Sequence, residues 1–245
     1  MRRRLAFSAL VVVLGLTVAG CHPLINPVDP NSTTFTGERT SKEPGELPRV
    51  LPEIIRWRIA SENNAGQRIG LDIADDGGFI EPRSPANTPQ FFILATFEES
   101  PSEGDFEGGL YVWAFADSGA TTTSFVTFDG FDPTTNSLRL RVDTAPPAGR
   151  ARIKIVDRNA RVAGDVKFSF LAGDVNGDGV VDDASDPYAV DTYDGEFADE
   201  SVPASVRADV NASGVVEGTA SGGADYTAAA GFDGNTLTGI AFPEL

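Results

Sequence analysis

Between residues 54 and 170 apolar and polar positions alternate with a period of two. Leu138, Leu140 and Val142 alternate with Arg139 and Arg141, and Ile153 and Ile155 with Arg152 and Lys154. Successive side chains of a strand point to opposite sides of a sheet, so this pattern describes one buried and one wet face. Eight strands are expected, at Ile54–Ala60, Arg68–Ile73, Phe91–Phe97, Leu110–Phe115, Ser124–Phe128, Leu138–Val142, Ala151–Val156 and Val166–Phe170. Turn formers such as Asp132-Pro133-Thr-Thr-Asn136 separate them. The expected fold is mainly β, an antiparallel, immunoglobulin-like β-sandwich over residues 49–170. A stretch of that length can bury a core of its own.

Tyr111, Trp113 and Phe115 also sit at period two and share one face of their strand. Facing outward, such a row could stack on sugar rings. Large aromatics dominate cores, so the sequence expectation places it inside the sandwich.

Ahead of the β region the pattern changes twice. Residues 1–20 carry Arg2-Arg3-Arg4, then an apolar stretch from Leu5 to Leu16, then Val18-Ala-Gly before Cys21. This order is that of an export signal. The apolar run is short against the roughly 20 residues a membrane-spanning helix needs. Residues 21–48 are rich in Pro, Ser, Thr and Asn without periodicity and read as a flexible tether. Val18-Ala-Gly-Cys21 resembles the bacterial lipobox. That resemblance implies lipid on Cys21, an exported chain anchored in the cell envelope, and an outer-membrane or cell-surface site. Cys21 is the single cysteine, which leaves no disulfide within the chain.

Behind the β region the chain turns acidic and repeats itself. Residues 171–245 hold fifteen Asp and Glu against one basic residue, Arg207, which is −14 of the formal −17. Within them Asp174-Val-Asn-Gly-Asp-Gly-Val-Val-Asp182 matches a calcium loop: oxygen ligands at positions 1, 3 and 5, Gly at 6, a main-chain carbonyl at 7. The ligands are Asp174, Asn176, Asp178, the Val180 carbonyl and Asp182, with Asp186 closing the shell. A second copy begins 35 residues later, with Asp209, Asn211, Ser213, Val215, Glu217 and Asp225. The flanks repeat as well, Tyr193-Asp194-Gly195 answering Phe232-Asp233-Gly234. A solvated turn could produce one such loop, but not two copies with matching flanks. Asp186-Pro187 is expected to begin a short helix as N-cap and first residue, and 196–207 to form another. Ser213 replaces an acid, and Gly218–Gly223 lengthens the second loop, so the first calcium site is expected to be the stronger.

Residues 171–245 resemble the dockerin family, whose paired loops carry Asp, Asn, Asp and Gly at positions 1, 3, 5 and 6. The resemblance implies two bound Ca2+ ions and, in its best-known members, docking onto a cohesin in polysaccharide-degrading assemblies.

Other chemistry is absent from the sequence. His22 is the only histidine, which removes Ser-His-Asp and Cys-His catalysis and histidine zinc sites from the folded part. The Gly104–Gly109 stretch lacks the context of a phosphate loop. Acids such as Glu98, Glu99, Glu103, Asp105 and Glu107 cluster in an apparent loop rather than as a catalytic pair. The acidic balance argues against nucleic acid as a partner. The sequence therefore describes a non-catalytic, calcium-binding, surface-anchored bacterial lipoprotein. The alternative is an accessory subunit of an extracellular polysaccharide-degrading system, with a glycan or a cohesin-like protein as partner; a small glycosidase comes third.

Overall fold

A computed structural model describes residues 52–62, 68–74, 76–83, 90–101, 110–144, 146–157 and 161–245. The export signal, Cys21, the tether and the Glu103–Glu107 acids lie outside them. Ten strands come first: β1 (Ile54–Glu62), β2 (Arg68–Ile73), β3 (Ile80–Glu81), β4 (Gln90–Phe97), β5 (Leu110–Asp117), β6 (Thr122–Ser124), β7 (Val126–Asp132), β8 (Ser137–Val142), β9 (Ala148–Asp157) and β10 (Val162–Leu171). Three short helices follow, α1 (Asp186–Asp191), α2 (Pro203–Ala208) and α3 (Ala224–Ala230).

The strands form two five-stranded sheets, ordered β2-β1-β4-β8-β7 and β3-β10-β9-β5-β6. All pairings are antiparallel except β3 with β10. Both sheets contribute to one core, with Ile59, Ile93, Leu138 and Leu140 from the first and Ala114, Ile153, Val166 and Phe168 from the second. The alternation on β8 and β9 holds: Leu138, Leu140, Ile153 and Ile155 are buried while Arg139, Arg141, Arg152 and Lys154 reach outward.

Three sequence expectations are corrected. The run Ser124–Phe128 is not one strand; β6 ends at Ser124, β7 starts at Val126, and Phe125 between them is fully buried. The helix expected over 196–207 is confined to Pro203–Ala208, because Pro203 can start a helix but not continue one from upstream. Tyr111, Trp113 and Phe115 are half-buried and lie away from the core, which Ala114 and Ala116 face instead. In the register of the second sheet Ala116 stands beside Ala151 and then Phe168. Phe168 belongs to an edge-to-face cluster with Phe125 and Phe170, with ring centroids 5.1 to 6.1 Å apart. Small residues on β5 leave the inner volume to those rings.

The acidic segment packs onto the two-sheet domain. Ala198, Val206 and Ala212 belong to the same core cluster as the strands. Glu200 accepts the N–H of Gly70 on β2 at 2.9 Å and pairs with Arg58 on β1. Beneath this contact Arg83 and Glu81 form a fully buried bidentate pair, with N–O distances of 2.7 and 2.8 Å. The remaining Arg83 nitrogen donates to Ser61 and to the Ile69 carbonyl, both at 3.1 Å, so the buried charge is satisfied on every side.

Candidate metal centre

Strand β10 delivers the chain into the first loop with no linker. The Gly173 N–H is bonded to the Pro82 carbonyl at 2.8 Å, and Asp174 is fully buried directly after it. Asp174 then organises the turn. Its Oδ1 accepts the N–H groups of Gly177 and Asp178 at 2.6 and 3.1 Å, and its Oδ2 that of Gly179 at 3.0 Å. Gly179 has φ of 87°, which a β-carbon would strain. Asn176 accepts the N–H of Asp178 at 2.8 Å, and Asp178 that of Val180 at 2.9 Å. From the far side Asp186, also fully buried, accepts the N–H of Asn176 at 3.1 Å and of Asp182 at 3.0 Å.

The second loop repeats most of this pattern, except that the Ala212 N–H bonds the Asp209 main-chain carbonyl at 3.0 Å where the Gly177 N–H bonds the Asp174 carboxylate. Asp209 accepts the N–H groups of Ser213 and Gly214, both at 2.9 Å. Asn211 accepts that of Ser213 at 2.8 Å. Asp225 accepts those of Asn211 and Glu217, both at 2.8 Å, as Asp186 does those of Asn176 and Asp182. Gly214 matches Gly179 with φ of 94°. Even the left-handed residue at position 4 recurs: Gly177 has φ of 82°, and Ala212 keeps φ of 54° although it carries a β-carbon. A non-glycine residue stays there only when its surroundings hold it.

Between the loops the repeats exchange strands. The exit of α1 pairs with the second loop, Gly195 N–H to Val216 carbonyl at 2.9 Å and Val216 N–H to Glu196 carbonyl at 2.8 Å. The exit of α3 pairs with the first loop in the same way, Gly234 N–H to Val181 carbonyl at 3.0 Å and Val181 N–H to Asn235 carbonyl at 2.9 Å. The bridges Val180–Thr236 and Phe197–Val215 complete a pseudo-twofold relation. Val190 and Ala229, one from each of the two exchanging helices, are buried in a small shared core with Val175, Val210 and Val216.

The structure assigns some residues roles that differ from the sequence expectation. Asp182 accepts the N–H groups of Ala184 and Ser185 at 2.9 and 2.7 Å and the Ser185 hydroxyl at 2.8 Å, so it folds over the start of α1. The N-cap of α1 is Ser185; Asp186 is already helical and Pro187 follows it in the first turn. Asp186 is therefore released from capping and serves the loop. The Gly218–Gly223 insertion is pinned rather than loose: Asp194 accepts the N–H groups of Gly218 and Ala220 at 2.9 Å, and Asp191 that of Thr219 at 2.7 Å. Arg207, the lone cation of the segment, donates to the carbonyls of Asp174, Val175 and Ile80 at 2.7, 2.8 and 2.6 Å. Neither the Asp191–Asp194 pair nor Arg207 carries a motif that would have marked it.

Burial dominates the electrostatics of the loop carboxylates and outweighs the nearby Arg207 at Asp174 and Arg83 at Asp209. Burial pushes Asp225 up to about 7 and Asp209 up to about 6, against the N–H donors that favour the ionised form. Asp174 and Asp186 are raised for the same reason. Asp182, on the outside, is held below the usual carboxylate range by the Ser185 N–H and hydroxyl. Among the described residues no three His, Cys, Asp or Glu side chains are gathered as a cage. Each loop instead offers two buried carboxylates, with amide, hydroxyl and main-chain oxygens around them. That donor set consists of oxygen alone and fits a hard cation such as calcium. The loops also differ: Ser213 donates its hydroxyl to the Val215 carbonyl at 3.0 Å, whereas the Val180 carbonyl accepts no hydrogen bond among the described residues.

Comparison with known proteins returns no match: no family model, no curated protein and no solved structure aligns with the chain.

Proposed function

We propose that the protein is a non-catalytic, lipid-anchored bacterial envelope lipoprotein whose acidic segment binds two Ca2+ ions and is folded by them against an immunoglobulin-like sandwich. One observation carries the calcium reading. Two loops of different length and sequence are closed by the same two hydrogen bonds, from the N–H groups of positions 3 and 9 to a buried Asp that faces the buried Asp of position 1. Asp174 and Asp186 would hold the first ion with Asn176, Asp178 and the Val180 carbonyl, and Asp209 and Asp225 the second with Asn211, Ser213, Glu217 and the Val215 carbonyl. Asp182 supports the first set from outside. The ion supplies positive charge to acids that burial otherwise forces toward protonation, so its binding energy becomes folding energy.

The dockerin-like reading of the tail rests on the same duplication. Tail and sandwich share core residues and the Arg207 contacts, so calcium acts here as a structural clamp on a display domain. Two mostly antiparallel sheets around one core support the immunoglobulin-like reading. Export and anchoring rest on the Arg2–Cys21 pattern, and Cys21→Ser should release the protein from membranes.

The deciding experiment is calorimetric titration of calcium into the chelator-stripped, detergent-solubilised protein, with melting curves alongside. Two ions of unequal affinity and a higher melting temperature are expected. Absence of binding at millimolar calcium would overturn the reading.

A further inference from the structure

Strand β5 is inverted in size, placing Ala114 and Ala116 against the core and Tyr111, Trp113 and Phe115 on the outer face of the second sheet. Directly opposed residues of antiparallel strands share a face. Trp113 therefore stands beside Lys154 and then Asp165, and Phe115 beside Arg152 and then Lys167. Arg150 follows one step along the same face of β9. The face thus combines a row of rings about 7 Å apart along the strand with four cations, Arg150, Arg152, Lys154 and Lys167, and two acids, Asp117 and Asp165. It lies on the less acidic part of the molecule: residues 49–170 carry seventeen acids and thirteen bases.

One end of this face is already covered, and the cover shows what the face accepts. Phe242 lies against Arg150 and Lys167, 4.9 and 5.7 Å from ring centroid to cation. Arg150 donates to the Ile240 carbonyl at 3.0 Å, and Arg152 stands 3.8 Å from the Glu244 carboxylate. Arg152 is further neutralised by Asp165 at 2.7 Å. At the other end Tyr111 opposes the buried Val156, and Tyr111, Trp113 and Lys154 are part-exposed. Tyr111 and Trp113 make no ring contact, and Lys154 no ion pair, among the described residues.

We propose that the outer face of the second sheet binds an anionic polysaccharide, its sugar rings lying on Tyr111 and Trp113 and its acidic groups pairing with Lys154. A chain of acidic sugar rings supplies both features in every repeat, a flat ring for the aromatic row and a charge for the cation beside it. Part-exposed rings on an open sheet face suit a long polymer rather than an enclosed small molecule. The surface is independent of the calcium loops.

The test is affinity electrophoresis of the protein through gels containing hyaluronan or chondroitin sulfate, against neutral hydroxyethylcellulose. Retardation by the acidic polymers is expected, weakening between 50 and 500 mM salt as roughly Debye-screened pairs do. Trp113→Ala should weaken binding about tenfold, and Lys154→Ala should remove most of its salt dependence. Tyr188→Ala, which removes an aromatic 73% exposed elsewhere, should change nothing. Unaltered melting temperatures would show the variants folded. Equal retardation by the neutral polymer, tighter binding of single-stranded DNA, binding indifferent to Trp113→Ala, or no retardation at all would each overturn the proposal.

Discussion

The guanidinium of Arg207 donates to the main-chain carbonyl of Asp174 at 2.7 Å, so the helix that leads into the second loop holds the first residue of the other. Its other nitrogens reach the Val175 and Ile80 carbonyls, tying both loops to β3. Arg207→Ala leaves three carbonyls without their donor and should destabilise the protein by about 3 kcal/mol. Arg207→Lys keeps the charge but not the fork and should recover only part of that. Denaturant unfolding in calcium measures both. A loss confined to the acidic segment, with β-sheet unfolding unchanged, would contradict the shared core.

The Gly218–Gly223 insertion depends on Asp194 and Asp191 at the exit of the first repeat. Asp194→Ala should free the insertion and misplace Asp225. Supports of metal ligands are typically worth at least about tenfold in affinity, so the weaker of the two calcium affinities should fall by about that factor. The stronger should hold. Calorimetry on the variant distinguishes this from a general loss of folding, which would lower both.

How much of this could be read from the chain depends on whether the signal is local. Alternation on Leu138–Val142 and Ile153–Ile155 places strands because each residue's burial is set by its own pleat. The two-residue β3 exists only through its parallel pairing with Ser169 and Phe170, which no local pattern announces. In β7 the register shifts between Phe128 and Gly130 and hides the alternation beyond. Period two places Tyr111, Trp113 and Phe115 on one face but does not say which. The answer came from the volume of Phe125, Phe168 and Phe170 across the sheet. The hydrogen-bonded turn from Asp174 to Asp182 was legible since position 1 to position 9 is a local motif. The equivalence of Asp225 and Asp186 was legible too, from the repeated flanks, but the pinning of the glycine-rich detour by Asp191 and Asp194 was not, because it joins residues far apart in the chain.

Proton binding gives the calcium reading a pH signature. Burial raises Asp209 to about 6 and Asp225 to about 7, above the ordinary 3.8. A carboxyl with a raised folded-state value favours folding most when protonated. In chelator that contribution is complete below pH 3.8 and is lost as the pH climbs through about 6 and 7. Exposed Asp182, Asp194 and Asp199 are held below the usual range by donors on Ser185, Ser221 and Ser201, so their titration falls outside that window. The chelated protein should melt lower at pH 8 than at pH 5. Calcium needs the ionised form, so the loaded protein should show the reverse order. Asp225→Asn should flatten the chelated profile; an unchanged profile would remove Asp225 as its source.

The strand exchange couples the repeats across the sequence. Gly234 and Leu237, at the end of the second repeat, donate their N–H groups to Val181 and Gly179 of the first loop at 3.0 and 3.2 Å. Gly195 and Ala198, at the end of the first repeat, donate to Val216 and Gly214 of the second at 2.9 and 3.1 Å. Under the proposed calcium reading, an ion in one loop would stiffen the acceptor for the other repeat's exit strand. Asp174→Asn, which weakens the first loop alone, should lower the calcium-dependent exchange protection of Gly234 and Leu237 while sparing Gly195 and Ala198. Asp209→Asn should do the opposite. Protection lost equally at all four amides in either variant would mean that the segment opens as one unit, and the exchange would then be packing without selective coupling.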